Sequence, residues 1–265
     1  MEGGPLLEDW WVKLASTDFI PYLNIGSQLP DTPDPRLLQQ MGGRGYPYFV
    51  VLDENGTRIV PGRAYSQFRP MNRPGTIAAL SGAQQLIGAR AAEAQSPANP
   101  SLAANRQLLE RLLLTGKVST AEALAAVEVE GVDPILVQRF RVQEVLTEYS
   151  TAVRGLARTD VESRQAAFDR AGRAMLGVHR AGVPLNDTRL REFSDYWRLV
   201  YTGAMLDGEL EVAESALNIY RRVYGTSANH RERIGKMTTD LAAAKKKREE
   251  ASSPSPAGGG STEPR

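Results

Sequence analysis

Residues 42–60 read GGRGYPYFVVLDENGTRIV, and the fold of the first third of the chain turns on how this run is read. YPYFVVLD (residues 46–53) is a nearly continuous apolar and β-branched stretch of strand length, as expected of a strand covered on both faces. Asn55-Gly56 supplies two positive-φ positions for a tight hairpin, and TRIV returns as the next strand. The glycines of MGGRG (residues 41–45) follow a short helix and lack a phosphate-binding lysine, so they read as a helix stop. Upstream, FIPYLNI (Phe19 to Ile25) predicts a short strand with Pro21 at an edge or irregular position. LPDTPDP is a rigid polar loop whose Asp34-Pro35 suits the N-cap and first residue of a helix in RLLQQM. Downstream, Thr76 to Ala94 places Ile77, Leu80, Gln84, Ile87 and Ala91 on one helical face.

QSPANPS (Gln95 to Ser101) is a Pro/Ser break and the expected domain boundary. Beyond it the apolar spacing is helical throughout. Leu102, Leu109, Leu112 and Leu113 form one stripe. Asp133-Pro134 opens a helix in which Ile135, Val142, Tyr149 and Leu156 recur every seven residues, with Leu146 and Val153 between them; this face is expected to be buried. Further stripes are Val161, Phe168, Ala171, Met175 and Val178; Leu190, Phe193, Trp197, Val200, Tyr201 and Ala204; and Val212, Ala216, Ile219 and Val223. A last helix starts near Asn229 and runs into LAAAKKKREE. Short loops make these helices antiparallel neighbours. The tail ASSPSPAGGGSTEPR cannot offset its ordering entropy and is predicted to be disordered.

The order of loop, apolar strand, hairpin and closing helix in residues 42–94 resembles the thioredoxin-like superfamily, in which a Gly-x-x-Gly-x-Pro loop carries a cis-proline before a strand ending in Asp-x-x-Gly. The resemblance covers roughly residues 5–95 and places Pro47 at that proline. It implies that Tyr46 pairs with the main chain of a bound peptide by strand addition, with Tyr48 adding apolar area. The family's Cys-x-x-Cys, at the start of the helix after the central strand, has no counterpart. PLLEDWWVKLAS looks like the remaining half of that helix, so the central strand itself is missing and its neighbours would be left with open edges. Three readings stand: a start assigned too far downstream, a strand donated by another chain, or a shortened module. The first accounts best for the history of the gene.

The chain of 265 residues contains no cysteine, which excludes disulfides, thiolate metal sites and thiol catalysis. Thirty-two basic residues against 31 acidic ones leave a formal charge of +1, so no global field attracts nucleic acid or anionic lipid. No run approaches the roughly 18 apolar residues of a membrane span, and the start lacks the pattern of a signal peptide. Cytoplasmic placement is the default, with the compartment left open. His179 and His230 lie about fifty residues apart with no partner at ligand spacing and read as surface residues. Asp31 and Asp34 are turn and cap residues, and Ser16, Ser27, Ser66 and Ser81 lack a nucleophile-elbow context. KKKR (residues 245–248) suits a helix C-terminus. Trp10, Trp11 and Tyr48 read as packing groups. Trp197, Gly208 and Ala213 have the offsets of a tetratricopeptide helix pair, without a second copy in register.

These readings add up to an α+β chain. Residues 1–95 form an incomplete thioredoxin-like unit, residues 101–250 an all-α antiparallel helical domain, and residues 251–265 a tail. The expected function is non-catalytic and cofactor-free: a redox-inactive module or scaffold that binds a protein or peptide through Tyr46, Pro47 and Tyr48, the helices, or both. The alternative is a truncated thiol-disulfide oxidoreductase whose cysteines lie upstream of Met1.

Overall fold

A computed structural model describes residues 8–17, 19–21, 36–43, 50–60, 73–113 and 118–252. Helix accounts for 74% of them. In chain order the elements are α1 (Asp9–Thr17), α2 (Leu37–Gln40), β1 (Val51–Leu52), β2 (Arg58–Val60), α3 (Arg73–Gln95), α4 (Pro100–Leu113), α5 (Thr120–Val127), α6 (Pro134–Arg154), α7 (Val161–Ala181), α8 (Phe193–Asp207), α9 (Leu210–Tyr224) and α10 (Ala228–Ser252). The expected α+β class is therefore corrected: the described residues are mostly all-α, and their one sheet has two antiparallel strands. No thioredoxin-like sheet is present among them. Phe19, Ile20 and Pro21 carry no strand, while residues 22–25 and 44–49 lie outside the described residues.

The turn of the hairpin differs from the one expected of Asn55-Gly56. Gly56 has φ +74°, but its N–H donates to the Asp53 carbonyl (3.0 Å) and Asp53 N–H donates to the Thr57 carbonyl (2.9 Å). The loop is thus Glu54-Asn55-Gly56, a three-residue hairpin with glycine at the left-handed position, not the two-residue turn expected from Asn-Gly. The Asp53 carboxylate also accepts from Asn55 and Thr57 N–H at 3.1 and 2.8 Å. An isolated two-stranded ribbon is marginal in water. Here Val51 and Ile59 are buried in a cluster with Ala79, Leu80, Ala83 and Leu86 of α3. That face of α3 is rich in small residues and lets the ribbon approach. Ile87, which the sequence pattern placed inward, is exposed. MGGRG does stop a helix: after α2, Gly42 adopts φ +77° and Gly43 N–H donates back to the Leu38 carbonyl (2.7 Å).

The chain divides into two compact units, residues 1–143 with 183–193 and residues 144–182 with 194–265. The first unit holds one core, to which α3, α4, α5 and the start of α6 contribute Leu86, Leu108, Leu109, Leu113, Ala123, Leu136 and Phe140. The expected boundary at residues 95–101 is a turn between α3 and α4, which pack together. Arg90 of α3 meets Glu110 of α4 (2.8 Å) and Asp53 of the hairpin (3.3 Å), and Arg106 of α4 meets Glu93 of α3 and Glu110 of its own helix (2.8 Å). Glu93 is the largest cause of the rise in the Arg106 pKa. α5 opens on a capping box in which Ser119 and Glu122 satisfy each other's backbone N–H. Asp133 accepts from Ile135 N–H (2.8 Å) ahead of Pro134, as its sequence predicted. The buried side chains of α6 are Leu136, Gln138, Arg139, Phe140 and Val142; Ile135 is exposed.

Among the described residues of the second unit every element is a helix. α7 starts on Asp160, whose carboxylate accepts from Ser163 N–H (3.0 Å). Asp160→Ala should lower stability by about 1 kcal/mol, measurable as a shift of the denaturant midpoint at unchanged slope. α7 and α8 cross on glycines: a Cβ on Gly203 would lie 2.2 Å from the Gly172 carbonyl oxygen. Gly208, φ +75°, turns the chain from α8 to α9, and Arg173 and Arg180 of α7 pair with Asp207 beside that turn. α9 buries Leu210, Ala213, Ala216, Leu217 and Tyr220; of the expected stripe Val212, Ala216, Ile219 and Val223, Ala216 alone is among them. α10 buries Ile234, Met237 and Leu241.

Candidate binding surface

Tyr46, Pro47 and Tyr48 lie outside the described residues. Asp31, Asp34, Ser27 and Ser66 lie outside them as well, whereas Trp10, Trp11, both histidines and the KKKR run are described. Trp10 and Trp11 stack edge to face (5.9 Å) on α1. His179 is partly buried and its Nδ1 sits 2.6 Å from the hydroxyl of fully buried Tyr196. Its ring packs edge to face against Tyr196 and Trp197. Burial first, then Arg180, lowers its pKa, with Glu209 acting in the opposite sense. His230 repeats the arrangement, its Nδ1 2.7 Å from the Tyr220 hydroxyl and its ring stacked on Tyr224 at 4.5 Å. The reading of both histidines as surface residues is corrected: each is the polar end of an aromatic cluster. Neither presents Nδ1 to a substrate, and no group of three or more metal-ligating side chains occurs among the described residues.

Two residues of the KKKR run pair with α9. Lys245 bridges to Glu214 and Arg248 to Glu211, both at 2.7 Å. Farther along, Arg221 donates to Thr238 (2.8 Å). Each pair moves up α9 as it moves down α10, so polar side chains set an antiparallel register. Arg248 is the largest cause holding the Glu211 carboxyl below its usual range. Exposed pairs of this kind are worth little in stability; their effect is to neutralise the basic run locally. No helix among the described residues is long and apolar enough to cross a membrane.

The outer face of α9, whose Glu211 and Glu214 carry those pairs, also borders a groove. Glu211, Glu214, Ser215, Asn218, Ile219 and Arg222 line a surface groove of about 470 Å³. Their spacing puts them on one stripe of the helix, opposite its buried side. The groove combines a partly exposed aliphatic group, an amide, a hydroxyl and a guanidinium with the two carboxylates that Lys245 and Arg248 engage. It can accept main-chain and side-chain hydrogen bonds along an extended or helical segment, and it has no paired acid and base for catalysis. Apolar recurrence in the sequence does not mark it. The signal was present as the polar residues of LEVAESALNIYRR at the complementary positions. The Tyr220–His230 contact carried no such signal, since it depends on how the chain turns at Gly225. No protein-family model, curated protein or solved structure matches this chain.

Proposed function

We propose that this chain is a non-catalytic helical module that binds a polypeptide segment along the outer face of α9. The observation that carries the reading is the groove lined by Glu211, Ser215, Asn218, Ile219 and Arg222, set beside histidines that are engaged within the fold and a basic run whose Lys245 and Arg248 pair with α9. Ile219 supplies the apolar anchor, and Asn218 and Ser215 supply hydrogen bonds that orient the segment. The absence of cysteine from the sequence removes thiol chemistry as a competing role for the chain as it stands.

A direct test selects peptides from a random display library against the full chain and measures their affinity by fluorescence anisotropy. Ile219→Asp and Asn218→Ala should each weaken the selected peptides by about tenfold or more, corresponding to roughly 1.4 kcal/mol. Tyr46→Ala and Pro47→Ala should leave the same affinities unchanged. If the α9 variants bind as the parent does and the Tyr46 and Pro47 variants do not, the surface lies elsewhere and this reading fails.

A further inference from the structure

We propose that Tyr220, His230 and Arg233 form a proton-operated latch, in which protonation of His230 releases the first turns of α10 from α8 and α9. This goes beyond the binding role and is independent of it.

The hydroxyl of Tyr220 is fully buried and is shared by three groups: His230 Nδ1 at 2.7 Å, Arg233 Nη1 at 3.0 Å and Ser194 Oγ at 3.3 Å. The cluster therefore ties α8, α9 and α10 together at one oxygen. With His230 neutral and its proton on Nε2, the arrangement is fully satisfied. Tyr220 donates to Nδ1 and accepts from the Arg233 guanidinium and the Ser194 hydroxyl. Protonation places a hydrogen on Nδ1 aimed at an oxygen that already takes a cationic donor. Two positive charges then converge on one buried neutral acceptor.

The surroundings offer little relief. From α8 the site faces Ser194 and Asp195, and Asp195 is paired with Arg198 at 3.0 Å. From α9 it faces Tyr220 and Tyr224, while Arg221 is turned to Thr238. From α10 itself it faces Arg233. No ion pair to His230 forms among the described residues. His179 differs, because Glu209 favours its cation. The direction of the His230 shift agrees with the geometry: burial first, then Arg233, lowers it from 6.5. A lowered value means the unfolded or released form takes up the proton first as pH falls. The contribution of the latch is complete above the ordinary histidine value and is lost as pH drops through the lowered one. Ile234 and Met237 follow within two turns, and Tyr201 donates to the Met237 carbonyl (2.6 Å), so release should spread along the docked face of α10 to this second tie.

Hydrogen exchange of the full chain, corrected for intrinsic rates, should show residues 228–237 losing protection several-fold between pH 7.5 and pH 5. His230→Gln keeps an acceptor for Tyr220 and should abolish that pH dependence while the chain stays folded by circular dichroism. A proton NMR titration of the parent protein covers the case in which this variant does not fold. The His230 ring should titrate below the ordinary histidine value, and Arg233→Gln should move its midpoint upward. A midpoint at or above the ordinary value, protection unchanged down to pH 5, or an undiminished pH response in His230→Gln overturns the latch.

Discussion

Arg139→Met alone is expected to remove about 3–5 kcal/mol of stability. Adding Glu192→Leu to it should bring the chain back to within about 1 kcal/mol of the parent, or above it. Both side chains lie in the first unit with only 7% of their surface exposed, and their closest approach is 3.8 Å. Arg139 Nε and Glu192 Oε2 have no hydrogen-bond partner in the fold. A pair this loose recovers little of its desolvation cost, whereas a single member left behind is an uncompensated buried charge. The two single changes should be unequal. Asp187 also feels the Arg139 charge, although Arg189 is the larger cause of its lowered pKa. Arg139 therefore has a second carboxylate when Glu192→Gln removes the first, and that change should cost less than Arg139→Met. Denaturant titration of the three variants decides it; a double variant as unstable as Arg139→Met would show that the pair itself holds the fold.

The second large effect is expected at Gly203. Its alanine variant should lose about 2 kcal/mol net, or roughly 4–8 °C of melting temperature. An added Cβ would lie 2.2 Å from the Gly172 carbonyl oxygen, 2.7 Å from its carbonyl carbon and 2.8 Å from Leu176 Cβ. Two of those atoms are helix backbone, so relief requires α7 and α8 to move apart and loosen the burial of Met175, Leu176 and Val200. Against that, alanine in place of glycine within a helix favours folding by about 1 kcal/mol. Gly177 separates the two contributions: it lies in the same helix as Gly172, and a Cβ there meets nothing within 4 Å. Gly177→Ala should raise the melting temperature while Gly203→Ala lowers it. Equal shifts in the same direction would mean that the crossing has slack.

The parts of this protein legible in the residues alone were those governed by neighbours in sequence. Asp133-Pro134 opened α6 where expected because a cap and a fixed φ act within one turn. Gly42 stopped α2 and Gly56 turned the ribbon because glycine alone enters the left-handed region freely. The helical spacing after residue 100 reported true helices, since a 3.6-residue period is a local property. The zero count of cysteine excluded thiol chemistry of this chain without any structure.

Tertiary structure decided the rest. The run at residues 46–53 is compatible with the interior of a large sheet or with one arm of a small ribbon, and only long-range pairing chooses between them. Among the described residues Val51 and Leu52 pair with residues 58–60 alone, and α3 covers the pair. Which side of each helix is buried was likewise set by what packs on it. Ile87 and Ile135 turned outward where small or aromatic neighbours filled the core, and the stripe of α9 rotated towards Tyr220. The polar stripe of α9 became a groove because its other side is packed, and two histidines far apart in sequence acquired equivalent tyrosine partners. Local rules act over one or two turns of backbone, whereas burial is a competition among all faces of the chain for a limited interior.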